Sequence, residues 1–197
     1  MAKLLNLPSF TTQQLPLQYF EYFLMRTLQW LKKESDASQN DLSVLKCQKL
    51  LFFTTAINCQ SSVNEAILAK QIFNHFKAYQ YGPVEENIYN LLKVNNNQLS
   101  HITLTFKSLE LAFDAGHLNL AIADIEKESG LDSSVLNSIT SSIEDLSNKN
   151  KNLVRYSPFN LVELSHRWRC WNYSYVEGIR ADISWKSIAE ESMIFSL

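Results

Sequence analysis

A single compact, mainly α-helical domain is the fold class predicted by three features of this 197-residue chain. Apolar residues make up 46% of it, enough for one sizeable core. Glycine and proline number only four each, so tight turns and glycine-lined phosphate loops are scarce. The apolar residues recur mostly at steps of three and four, the period of a helix face. One short strand or hairpin around residues 101–107 is the exception the pattern allows, because Ile102, Leu104 and Phe106 alternate with His101, Thr103 and Thr105.

Leu17, Phe20, Leu24, Leu28 and Leu31 form a stripe widened by Tyr19, Phe23 and Trp30, which predicts an amphipathic first helix ending near Lys33. The polar stretch 34–40 then hands over to a second helix, capped by Asn40 or Asp41 and running to about Asn58. Its middle, Leu50 to Phe53, is apolar on all sides and belongs in a core. From Pro83 a third major helix is predicted, with proline at its first position and Glu85 and Glu86 in its first turn. Val84, Ile88, Leu91 and Leu92 share one face, and the helix stops near Asn95. A segment from Leu118 to Glu126 closes at Gly130, and Asp132 caps a helix striped by Val135, Leu136, Ile139, Ile143 and Leu146. Ser157-Pro158 opens a short helix through Leu161 and Leu164, and Ser184 caps a last one carrying Trp185 and Ile188.

Composition excludes several function classes. With 18 basic and 20 acidic residues, no strong field draws the chain to nucleic acid or an anionic membrane, so neither is expected as a partner. No long apolar run appears, and Met1 to Ser9 lacks the charged and apolar regions of a signal peptide, which predicts a cytoplasmic protein. Three widely spaced cysteines suit reduced thiols. Glycine-rich nucleotide fingerprints, phosphate loops, HExxH, GxSxG and CxxC are all missing, so no catalytic residue and no cofactor is predicted. His166 and Cys170 would put two soft ligands on one helix face, but without the further ligands a structural zinc needs, and no metal is expected.

Two local segments stand out. Ser165 to Trp171 packs an imidazole, two indoles and two guanidiniums into seven residues, and Trp and Arg are the types most enriched at interface hot spots. Arg167, Trp168 and Arg169 are therefore partner-contact candidates, while His166 and Trp171 read better as core residues. Tyr79 to Val84 combines a permissive glycine with a proline of preset φ, giving a turn of defined shape with Tyr81 at its mouth. It reads either as a packed helix entry or as a groove that accepts another chain. Tyr19, Phe23 and Trp30 make the first helix aromatic on two sides, so it either lies deep in the core or meets another chain: a partner or, in a homodimer, a second copy.

Taken in order, Leu45-Lys46-Cys47-Gln48-Lys49-Leu50-Leu51-Phe52-Phe53, then Phe73 to Tyr81-Gly82-Pro83-Val84 with Tyr89, then Leu164-Ser165-His166 with Trp171, the chain resembles the Panacea domain family of SocA-like antitoxins and GepA-type phage-associated proteins. Lys49, Ala78, Tyr81, Gly82, Pro83, Val84, Tyr89, His166 and Trp171 carry the likeness. Phe52 or Phe53 stands where the family favours tyrosine, Tyr79 for tryptophan, Ser165 for threonine and Cys170 for proline. The resemblance implies a helical domain over 41–197 that binds a cognate toxin protein. It would neutralise the toxin by direct contact or by presenting it to a Clp-type protease. Residues 1–40 lie outside the likeness and read as an amino-terminal helical extension. The alternative is an enzyme handling a small ligand or nucleotide with Lys49, Tyr81 and His166, residue types that suit a phosphate site.

Overall fold

At the centre lies α2 (Val44–Asn58), in which every residue from Lys46 to Asn58 is buried. The computed structural model describes residues 15–35, 40–60, 66–192 and 194–197. A helix apolar on all sides can be stable only when surrounded. Around α2 stand α5 (Ser133–Lys149), α6 (Pro158–His166), a five-residue π-helical turn (Leu68–Ile72) and a hairpin of β1 (Phe76–Tyr79) with β2 (Gly82–Glu85). Ser43 caps α2, its side chain accepting from Lys46 N, in place of the expected Asn40 or Asp41. Asp41 instead pairs with the Lys46 ammonium at 2.6 Å, and Asn40 bonds both backbone polar groups of Leu109.

Helix α1 (Leu15–Glu34) packs against α5 and α4 (Leu118–Glu128) and shares its core with α2. Phe23 is fully buried, and Tyr19 and Trp30 are almost so. The Tyr19 hydroxyl accepts from Asp132 N at 3.0 Å, and Tyr22 donates to Glu126 at 2.6 Å. This corrects the reading of Tyr19, Phe23 and Trp30 as a contact surface: the aromatic excess of α1 is core. The described part of the predicted extension is thus built into the domain, and residues 1–14 of it lie outside the described residues.

Among the described residues, three two-stranded antiparallel sheets interrupt the helices. The strand expected around 101–107 is present as β3 (Ile102–Leu104), paired with β4 (Leu109–Leu111). The hairpin β1–β2 corrects the helix expected from Pro83, since α3 begins only at Glu86 and ends at Val94. Proline is tolerated in β2 because position 83 faces Ala78, whose own N–H points the other way, to Ala181 O. The polar groups of residue 83 therefore face outward, where a missing N–H leaves no ladder bond unmade. Glu85 becomes the N-cap of α3, accepting from Ile88 N at 2.7 Å. A third hairpin, β5 (Tyr175–Val176) with β6 (Ile179–Arg180), follows α7 (Arg169–Ser174) and turns at Glu177-Gly178, where Gly178 takes φ +78°. The caps predicted at Asp132, Ser157 and Ser184 are all formed, opening α5, α6 and α8 (Trp185–Ala189).

Trp168, between α6 and α7, is fully buried; its ring meets Phe52, Phe53 and Phe195, and its indole N–H donates to Ile194 O at 3.1 Å. It is a core anchor and not the contact residue expected from its sequence company. No helix among the described residues is long and apolar enough to cross a membrane.

Candidate functional site

The outward edge of β2 is closed by two neighbouring side chains of α2. Lys49 Nζ donates to Pro83 O at 2.6 Å, and Gln48 Oε1 accepts from Glu85 N at 3.0 Å. Both side chains are buried, so the exposed edge a hairpin would otherwise present is satisfied within the chain. Glu85 adds a further tie, its carboxylate accepting from His75 N as well as Ile88 N. Burial raises the Glu85 carboxyl above its usual range, against the backbone donors that lower it. Burial also drives the Lys49 ammonium down to about 7, with no carboxylate beside it to offset the loss of water.

Gly82 is the point of closest approach. It takes φ +85°, and a Cβ there would lie 2.2 Å from Ser165 Oγ and 3.2 Å from Lys49 Cε. Only glycine fits both the backbone conformation and the space. Ser165 Oγ donates to Val162 O at 2.8 Å, which places the α6 hydroxyl at this contact.

His166, the last residue of α6, stacks on Trp171 with ring centres 3.8 Å apart, and Trp171 stacks on Tyr175 at 4.8 Å. The Trp171 indole N–H donates to Tyr79 O at 3.0 Å and so ties α7 to β1. Burial, then the nearby Lys49 charge, hold His166 below the usual imidazole range. Lys49, Gly82, Pro83, His166 and Trp171 thus gather around one hairpin, where they act as its fastenings. The end of α6 at His166 and the start of α7 at Arg169 break the single helix face on which His166 and Cys170 were expected. Cys170 N instead donates to Glu191 at 2.8 Å.

Beside the hairpin is a cleft of about 610 Å³. Val44, Leu45 and Gln48, one face of α2, line it together with Val84 and Tyr89. All three hairpin turns contribute: Tyr81 from β1–β2, Phe106 from β3–β4, and Glu177 and Gly178 from β5–β6. Val44 N donates to Thr105 O, which fastens the β3–β4 turn to the start of α2. Tyr81 is 53% exposed, Phe106 91% and Ile179 57%, so the rim offers large apolar groups to solvent. Arg180 lies over the Tyr79 ring, 4.6 Å from its centre, and Tyr79 donates to Glu86 at 3.0 Å.

Of the residues predicted to meet a partner, Tyr81 alone lines this cleft. Arg167 pairs with Glu163 on α6 at 3.0 Å, and Arg169 lies 3.5 Å from Glu191; both are exposed and away from the cleft lining. The enzyme reading needed Lys49, Tyr81 and His166 around one ligand, but the cleft includes Tyr81 without the other two, and Lys49 is fully buried. None of Phe106, Ile179, Arg180 and Gln48 was singled out as a contact residue by the sequence, although Phe106 and Gln48 stand in segments that it marked. Glu177-Gly178 between Val176 and Ile179 was the available signal, since a glycine-bearing pair flanked by β-branched residues marks a hairpin.

Residues 47–172 match the profile of the family described as "Antitoxin SocA-like, Panacea domain". The chain belongs to this family. The matched span runs from α2 through α7, so the Panacea domain here includes the closed hairpin, its Lys49 and Gln48 fastenings, and the His166–Trp171 stack. Of the residues on which the sequence likeness rested, Lys49, Gly82, Pro83, His166 and Trp171 hold the hairpin in the Panacea domain, while Ala78, Tyr81, Val84 and Tyr89 line the cleft. No curated protein and no solved structure matches the chain.

Proposed function

We propose that this SocA-like chain is an antitoxin that neutralises a cognate toxin protein by direct contact, and that the hairpin-framed cleft is where contact is made. The observation that carries the reading is the rim: Tyr81, Phe106 and Ile179, from three different hairpins, leave large apolar side chains exposed around one apolar cleft. A monomer gains nothing from such a patch, whereas a partner surface does. The split between buried fastenings and exposed rim fits one scaffold serving different partners: the fastenings fix the hairpin, and the rim can vary without cost to the core.

Delivery of the bound toxin to a Clp-type protease is a later step of the same reading, since contact must come first. The experiment is co-expression with the open reading frame adjacent to this gene. A frame that is lethal alone, harmless with this chain and co-purified with it supports contact neutralisation. Loss of toxin that is abolished in a Clp-deficient host assigns the delivery route. A lethal neighbour that this chain neither rescues nor binds overturns the reading.

A further inference from the structure

Gln48 is 2% exposed and lines the cleft, yet only half of its amide is used. Its Oε1 accepts from Glu85 N at 3.0 Å, and because a backbone N–H can only donate, this contact fixes which end of the amide is oxygen. The other end, Nε2, is buried without an acceptor among the described residues. An unmade donor on a side chain that lines an apolar cleft favours an occupant whose acceptor the amide can turn to meet.

We infer that the cleft receives an extended peptide segment of the partner, an apolar side chain filling it and a main-chain carbonyl accepting from Gln48 Nε2. The partner's identity as the toxin rests on the antitoxin reading; the chemistry of the occupant does not. The acceptor is a neutral one, because the charged groups lining the cleft are one of each sign, Arg180 and Glu177, and Arg180 is engaged over Tyr79. The occupant is a chain and not a free small molecule, because Phe106, Tyr81 and Ile179 spread apolar contact over three separate hairpins.

The test uses the full chain, labelled with ¹⁵N, and two probes. N-acetyl-phenylalanine methylamide carries a ring and peptide carbonyls, while ethylbenzene carries the ring alone. Both should shift resonances of Tyr81, Tyr89 and Phe106, and only the first should move the Gln48 side-chain amide. Gln48→Glu keeps an oxygen for Glu85 N–H and removes the amide donor, so it should weaken the first probe about tenfold, the worth of one hydrogen bond. Phe106→Ala, at an exposed turn, provides a second variant with little risk to folding and should also weaken both probes. A Gln48 amide unmoved by the first probe, or moved equally by both, overturns the inference. So do the same shifts appearing on raising protein concentration alone, which would make a second copy the occupant. Co-expression separates the two layers. Wild-type rescue left unchanged in both variants overturns the cleft assignment only, whereas absence of wild-type rescue overturns the antitoxin reading and leaves the titration to decide the cleft.

Discussion

The Lys49 ammonium nitrogen lies 2.6 Å from the carbonyl oxygen of Pro83, fully buried beneath the β1–β2 turn. That contact joins the centre of α2 to the outward edge of β2. It also explains why proline can stand in the strand: the edge offers one acceptor at residue 83, and α2 supplies the matching donor.

Burial of Lys49 makes stability depend on pH in a defined direction. Its folded value is about 7, well below the ordinary 10.5 of the unfolded chain. Between these values the unfolded chain holds the proton that the folded chain has released. The residue's contribution is therefore complete above the unfolded value and is lost as pH falls towards the folded one. In urea unfolding, the stability of wild type relative to Lys49→Met should rise from pH 7 to pH 9 by on the order of 1 kcal/mol per pH unit. A difference that stays flat across that range would show that the ammonium is not desolvated.

Gly82→Ala should destabilise the chain by roughly 2 kcal/mol or more, from the positive φ and the contact with Ser165. The double variant Gly82→Ala with Ser165→Ala should recover part of that loss, because it removes the atom 2.2 Å from the new Cβ while the backbone strain remains. Thermal unfolding of the two single variants and the double variant measures the coupling. Strict additivity would place the cost of Gly82→Ala in the backbone alone.

Neighbours in sequence should behave oppositely around Trp168. Trp168→Ala removes a fully buried ring packed on Phe52, Phe53 and Phe195, and should cost about 3–5 kcal/mol. Arg167→Ala breaks only an exposed pair with Glu163 and should cost less than about 1 kcal/mol. Equilibrium denaturation distinguishes them, and equal costs would contradict the assignment of Trp168 to the core.

Helix positions were legible in the sequence because their information is local. The stripes of α1 and α5 and the caps at Asp132, Ser157 and Ser184 each lie within a few residues of what they determine. Pro83 misled for the same reason. Locally, proline followed by two glutamates signals a helix start, and what overrules it is Lys49 and Gln48, far away in the chain. The aromatic face of α1 posed the same problem: periodicity cannot say whether Tyr19, Phe23 and Trp30 meet a partner or their own core, and α4 and α5 decide it. The family motifs pointed to the right region, to its fastenings and, in Ala78, Tyr81, Val84 and Tyr89, to part of the cleft lining. The cleft itself is assembled from Phe106, Tyr81 and Ile179 on three hairpins, a juxtaposition that no single stretch of sequence contains.

The central claim is that the cleft rim makes the contact that neutralises a toxin. Its most direct test is a variant carrying Tyr81→Ser, Phe106→Ser and Ile179→Ser, all at exposed positions, co-expressed with the toxic neighbouring frame. The account predicts a chain that stays folded by circular dichroism, no longer co-purifies with the toxin and no longer rescues growth. Full rescue and co-purification by the folded variant would contradict it.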